Sequence, residues 1–130
     1  MIIYGHRFIP SENFYHVINI DAILNTPPNS TIYLEFEQEN LEIINHASLN
    51  NISFALYISN ITEAIYASSL GASFIIVDAE IAKTIQDIAN NYLFDAKVLV
   101  KIEDEEEIEE LALQGIDGVI FSNAVIKINS

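Results

Sequence analysis

The sequence contains no cysteine, and this absence removes one group of chemistries at once. Without a thiol the chain can form no disulfide bond and has no cysteine nucleophile. A zinc site would have to use carboxylates and the three histidines, His6, His16 and His46. His16 and His46 show no ligand spacing, so we interpret them as ordinary surface or boundary residues.

Several catalytic and nucleotide-binding motifs are also absent. The chain has four glycines, and they form neither a GxGxxG fingerprint nor a P-loop. No G-x-S-x-G nucleophile elbow occurs. The sequence therefore carries no complete motif for nucleotide binding or for serine-dependent hydrolysis.

Basic residues are scarce, which bears on the partners that the chain can have. Five lysines and arginines face 19 acidic residues, giving a formal net charge of -14. Such a chain is repelled by nucleic acid and by anionic lipid, so we expect neither as a partner. No apolar run of about 18 residues and no signal-peptide pattern occurs, so we expect a cytoplasmic protein outside the membrane.

Hydrophobic residues make up 51% of the chain, and mean hydropathy is +0.29. Short apolar runs alternate with helical patterns, as is typical of buried parallel strands with crossover helices. Strands are predicted at residues 2–5, 32–36, 54–58, 74–77, 98–102 and 119–121. Helices are predicted at residues 40–49, 61–70, 80–92 and 105–114, with a shorter one at 20–24. Residues 14–18 are compatible with an extended segment or a turn.

An internal repeat supports this alternation. Residues 53–78 align with residues 97–122 after a shift of 44 positions. Asn60 and Asp104 fall at helix N-cap positions, and a glutamate follows each of them three residues later. Gly71 and Gly115 fall where each helix ends. Each copy therefore predicts one βαβ unit within a single domain that spans residues 1–130.

The predicted fold is an α/β domain with a parallel sheet of about six strands and crossover helices. Two architectures stay open: an open doubly wound sheet and a half-barrel-like curved sheet. A complete eight-unit barrel normally needs about 250 residues, which the chain does not have. A half barrel would leave edge strands and an apolar face exposed, so we expect a homo-oligomer, most simply a dimer.

Polar residues follow the predicted strands, at the edge where parallel sheets bind ligands. His6 and Arg7 follow the first strand, Glu35 and Glu37 flank Phe36, and Asp78 follows a middle strand. Carboxylate oxygens suit Mg²⁺ or Ca²⁺, so Glu35, Glu37 and Asp78 are candidate metal ligands. An alternative role for Asp78 is to cap the helix that follows. We interpret the acidic run at residues 103–110 as the solvated face of a helix.

Some of these residues lie in an order that resembles the glycerophosphodiester phosphodiesterase family. His6-Arg7 is followed by Pro10-Ser11-Glu12-Asn13 and then by Glu35-Phe36-Glu37. The resemblance implies a barrel-type fold, with His6 as the acid/base, Arg7 as a phosphate contact, and Glu35 and Glu37 as ligands of a metal ion. The family's second catalytic histidine has no counterpart in this chain.

Two functions therefore stay open. The first is a self-associating α/β module that binds a small molecule or a protein. The alternative is a divergent metal-dependent phosphodiesterase that uses His6 and Arg7 for catalysis and Glu35, Glu37 and Asp78 for Mg²⁺ or Ca²⁺.

Overall fold

A computed structural model describes residues 1–128 and shows an α/β fold. Within that range eight strands form a single sheet in the order β1-β7-β6-β5-β4-β3-β2-β8, and each neighbouring pair is parallel. The strands are β1 (Ile2–Tyr4), β2 (Phe14–Val17), β3 (Thr31–Glu35), β4 (Phe54–Tyr57), β5 (Phe74–Val77), β6 (Lys97–Ile102), β7 (Gly118–Phe121) and β8 (Val125–Ile128). The helices are α1 (Ile20–Ile23), α2 (Leu41–Leu49), α3 (Ile61–Leu70), α4 (Ala79–Asn91) and α5 (Glu107–Leu113).

The six predicted strands and five predicted helices are present, with bounds that differ by up to two residues. Residues 14–18, for which the sequence left an extended segment and a turn as alternatives, contain the strand β2. The strand β8 was not predicted. His16 interrupts the apolar sequence of β2 and Lys127 that of β8, so neither strand contains more than two consecutive apolar residues. A 3₁₀ turn at Ser122–Ala124 separates β8 from β7.

Both faces of the central strands are buried, which explains their continuous apolar sequences. In β3, Ile32 and Leu34 pack in an outer cluster with residues of α2 to α5, whereas Tyr33 packs in an inner cluster. The inner cluster draws side chains from the strands and from the Ser122–Ala124 turn, and among the described residues no α-helical side chain joins it. The helices therefore cover one face of the sheet, which excludes the doubly wound alternative.

The other face is covered because the sheet curls upon itself into a half barrel. The ring of Phe14 lies 4.9 Å from that of Tyr4 and 5.1 Å from that of Phe74, measured between centroids. These side chains belong to β2, β1 and β5, which are far apart in the strand order. The short connection from β7 to β8 has the same effect, because β8 pairs with β2 near the opposite end of the order. The half-barrel alternative is thus confirmed.

Because the sheet curls, an exposed inner face is no longer a reason to expect self-association. The inner face was expected to be exposed, but Phe14, Tyr33, Ala55, Ile76, Leu99 and Ile120 on that face are buried. A second copy is not needed to cover this part of the sheet. The homo-oligomer stays a prediction. Separately, no helix of residues 1–128 is long and apolar enough to cross a membrane.

Local signals explain where α3 begins and ends. The side chain of Asn60 accepts a hydrogen bond from the Glu63 amide at 2.9 Å, and Glu63 accepts one from the Ser59 amide at 2.8 Å. Gly71 ends the helix with a φ of 90°, a conformation that favours glycine. In the second copy of the repeat, Asp104 caps a turn instead, and α5 begins at Glu107 rather than at residue 105.

Replacing Phe14 with alanine tests whether the inner aromatic contacts hold the curled sheet together. Phe14 is 2% exposed, so its truncation should lower the free energy of unfolding by about 3–5 kcal/mol. Phe8 is 71% exposed, and Phe8→Ala is the matched control, with an expected change within about 0.5 kcal/mol. Urea denaturation measures both values. Equal effects of the two substitutions would contradict a closed inner core.

Candidate functional site

The carboxyl ends of the parallel strands meet at one edge of the curled sheet, and two groups of polar residues lie there. The first surrounds His6, beyond the ends of β1, β6 and β7. The second surrounds Tyr57 and Asp78, at the ends of β4 and β5. Ligands of parallel α/β proteins bind at this edge, so both groups are candidates for the site.

The first group lines a pocket of about 630 Å³, which we call the His6 pocket. One wall comes from the end of β1 and the other from the ends of β6 and β7. Its lining residues are Gly5, His6, Arg7, Glu103, Asp104, Glu105 and Phe121. The structure therefore brings His6 and Arg7 to one pocket, together with three carboxylates.

Hydrogen bonds hold the imidazole of His6 at both ring nitrogens. Nδ1 accepts a hydrogen bond from the Phe8 amide at 3.1 Å, and Nε2 lies 2.5 Å from a carboxylate oxygen of Glu105. Because Nδ1 accepts a hydrogen bond, the proton of the neutral ring is on Nε2, which donates to Glu105. The ring is fixed in one orientation and one tautomer.

Sequence analysis did not assign Glu105 to the site, although it is the carboxylate of this pocket that contacts His6. The hydrogen bond from His6 and then the nearby positive charge of Arg7 lower the pKa of the Glu105 carboxyl below its ordinary value. The acidic run at residues 103–110 was interpreted as a solvated helix face. Since α5 begins at Glu107, Glu105 lies in the preceding turn and can reach back to His6.

The second group, which we call the tyrosine cluster, comprises Tyr33, Tyr57, Asp78 and Lys101. Tyr57 donates a hydrogen bond to a carboxylate oxygen of Asp78 at 2.7 Å. The Nζ atom of Lys101 lies 5.1 Å from the centre of the Tyr57 ring. Asp78 occupies the N-cap position of α4, but its side chain makes no capping hydrogen bond there. The carboxylate of Asp78 therefore binds Tyr57 at the sheet edge and does not cap the helix.

The two tyrosines of this cluster resist ionisation. The pKa of Tyr57 is raised to about 12, chiefly by the hydrogen bond to Asp78 and secondly by burial. Burial raises the pKa of Tyr33 further, with added repulsion from Glu35, Tyr57 and Asp78. Both phenols stay protonated at neutral pH, so they act there as hydrogen-bonding groups and not as bases.

The predicted metal ligands take three different environments. Glu35 contacts His16, with 3.2 Å between a carboxylate oxygen and Nε2, and Asp78 accepts from Tyr57. Glu37 lies beyond the end of β3 and lines a separate groove beside α2 and α3. In the part of the chain that the structure describes, no group of three or more histidine, aspartate and glutamate side chains is arranged to hold a metal ion. The metal site stays a prediction.

Strand alternation could have revealed the tyrosine cluster. Tyr33 and Glu35 are two residues apart in β3, so their side chains point to the same face of the sheet. Tyr57 pairs with Glu35 in the register of β3 and β4. The sequence prediction took residues at or after the strand ends as the site and left out Tyr33, Tyr57 and Lys101 within the strands.

Comparisons with known proteins add no assignment to this geometry. No family model matches the chain, and no curated protein matches its sequence. The resemblance to glycerophosphodiester phosphodiesterases therefore stays a prediction.

Asp78→Asn tests the contact that defines the tyrosine cluster. Losing the charged acceptor should lower the pKa of Tyr57 from about 12 towards its ordinary value of 10.0. A raised tyrosine pKa stabilises the fold fully below pH 10.0, and this contribution is lost as the pH rises to about 12. The variant should therefore lose less stability than the wild type across that interval. Carbon-13 NMR of the tyrosine rings measures the pKa, and urea denaturation measures the stability.

Asp87→Asn is the matched control, because Asp87 lies further along α4 in an ion pair with Lys83. It makes the same change in charge and should leave the Tyr57 titration in place. An unchanged Tyr57 pKa in Asp78→Asn would contradict the assigned hydrogen bond.

Proposed function

We propose that this chain binds a small molecule carrying a positive charge in the His6 pocket. The observation that supports the proposal is a pocket of about 630 Å³ at the carboxyl ends of parallel strands, lined by more acidic than basic side chains. Position and volume both fit a small-molecule site in this class of fold.

The charge of the pocket favours a cation. Glu103, Asp104 and Glu105 contribute three carboxylates, against the single guanidinium of Arg7. Each carboxylate makes one described hydrogen bond, to Ser122, to the Glu106 amide and to His6 respectively. A carboxylate has about four acceptor positions, so all three keep acceptor capacity for a ligand. The net charge of -14 on the whole chain also attracts cations.

Aromatic side chains beside the carboxylates suit the same ligand. Phe121 lines the pocket, and its ring centroid lies 5.6 Å from that of His6. The ring of Phe8 lies outside the lining and is covered by the guanidinium of Arg7. Aromatic faces attract alkylated ammonium groups by cation–π interaction. An ammonium-bearing ligand would thus meet both kinds of partner in the same pocket.

The hydrogen bonds of His6 favour binding over catalysis. A general acid or base must present a ring nitrogen to the substrate. Both ring nitrogens of His6 instead contact the protein, at Phe8 and at Glu105. In this arrangement His6 positions Glu105 and forms part of the pocket wall.

A divergent metal-dependent phosphodiesterase is the second candidate. The favouring observation is that His6 and Arg7 line one pocket at the end of β1. There the guanidinium of Arg7 would contact a phosphate. In this alternative His6 is the acid/base, and Glu35, Glu37 and Asp78 bind Mg²⁺ or Ca²⁺.

Three probes separate these functions: choline, glycerol 3-phosphate and glycerophosphocholine, each tested by calorimetry with the full chain. We expect choline and glycerophosphocholine to bind and glycerol 3-phosphate not to bind, because the pocket is acidic. Glu105→Gln should weaken choline binding about tenfold, because the quaternary ammonium has no N–H to donate and is held by charge attraction alone, which for unit charges about 4 Å apart is roughly 1–4 kcal/mol at a protein surface. Chromatography of the glycerophosphocholine sample with Mg²⁺ or Ca²⁺ checks for hydrolysis.

The matched control is Glu109→Gln on α5, which removes the same charge outside the pocket. Its affinity for choline should equal that of the wild type. Absence of choline binding, or equal weakening by both variants, would refute the binding proposal. Turnover that is lost in Glu35→Gln would establish the phosphodiesterase instead.

A further inference from the structure

Helix α3 presents an uncharged face to solvent. Ile61, Ile65 and Tyr66 are 43%, 42% and 54% exposed. Surface helices usually place charged residues on this face, as α4 does with Lys83 and Asp87. The charged residue of α3 is Glu63, and its carboxylate accepts a hydrogen bond from the backbone amide of Ser59. The apolar face is therefore a candidate contact surface.

A groove of about 490 Å³ runs beside this face, and we call it the α2–α3 groove. The rings of Phe36 and Tyr66 lie 6.3 Å apart at an angle of 30° and form part of its wall. Leu41 of α2 lines the groove as well and is 40% exposed. The remaining lining residues are Glu37, Gln38, Ser69 and Leu70.

The size of this surface fits a short helix. Ile65 lies four residues before Ser69 on α3, so the apolar surface continues from the groove along the helix. The ten residues of α3 span about 15 Å, or nearly three helical turns. An amphipathic helix placed in such a groove uses anchors at positions i, i+3 or i+4, and i+7.

The acidic residues in this part of the chain favour a partner that carries positive charge. Residues 8–82 contain no lysine and no arginine, but they contain nine aspartates and glutamates. The groove lies entirely within this part of the chain, and Glu37 lines it. A partner with basic residues beside its apolar anchors complements this surface, whereas an acidic partner is repelled.

We propose that the α2–α3 groove binds a basic amphipathic helix of another protein. A second copy of this chain is a poor occupant, because a two-fold contact would place two acidic halves against each other. The proposal is independent of the His6 pocket, which lies at the ends of β1, β6 and β7.

A labelled model peptide of leucine and lysine tests the proposal by fluorescence anisotropy with the full chain. Its leucines occupy positions i, i+3, i+4 and i+7, and an acidic counterpart carries glutamate in place of lysine. We expect the basic peptide to bind, with an affinity that falls as salt is added, and the acidic peptide not to bind. Tyr66→Ala should weaken binding by about tenfold or more, as expected for an aromatic anchor.

Tyr92→Ala is the matched control, because Tyr92 is 73% exposed and lies outside the groove. It should change the affinity by less than about twofold. Both tyrosines are exposed, so both variants should fold, and circular dichroism verifies this.

Three results would overturn the proposal. Equal affinities of the Tyr66→Ala and Tyr92→Ala variants would show that the peptide binds by general charge attraction. Equal affinities for the basic and acidic peptides would refute the charge argument. A dimer in light scattering that Tyr66→Ala dissociates would show that a second copy occupies the groove.

Discussion

The structure depends on burying the inner face of a parallel sheet that has helices on its other face alone. Phe14, Tyr4 and Phe74 meet across that face, although their strands are far apart in the sheet. Apolar side chains on a flat sheet would stay in water, so curling removes them without a second helix layer. The connection from β7 to β8, which pairs with β2, brings the two ends of the strand order together.

Strand order also determines where chemistry can occur, because parallel strands end at one edge of the sheet. After β1, His6 meets Glu105 from the end of β6 across 99 residues of sequence, and Tyr57 of β4 meets Asp78 from the end of the adjacent β5 across 21. The edge carries two polar groups with different properties: an acidic pocket with a fixed imidazole, and a pair of phenols that stay protonated.

The helices of the outer layer differ in the residues that they expose to solvent. Helices α4 and α5 carry charged residues towards solvent, whereas α3 carries isoleucine and tyrosine there. All five lysines and arginines lie outside residues 8–82, so the uncharged face of α3 belongs to the more acidic part of the chain. A ligand in the His6 pocket and a partner helix in the α2–α3 groove would contact separate surfaces. Acidic residues near each surface would favour a positively charged ligand or partner.

Sequence alone determined the elements and the parallel sheet, because short apolar runs, N-cap residues and helix-ending glycines such as Gly71 act locally. It also placed His6, Arg7, Glu35 and Asp78 at strand ends, since that follows from strand direction. The partners of these side chains were decided by tertiary structure alone. The contacts of His6 with Glu105 and of Glu35 with His16 depend on which strands are close together in the sheet and where α5 begins. Strand order comes from packing between segments that are distant in the sequence, which no local pattern in the chain encodes.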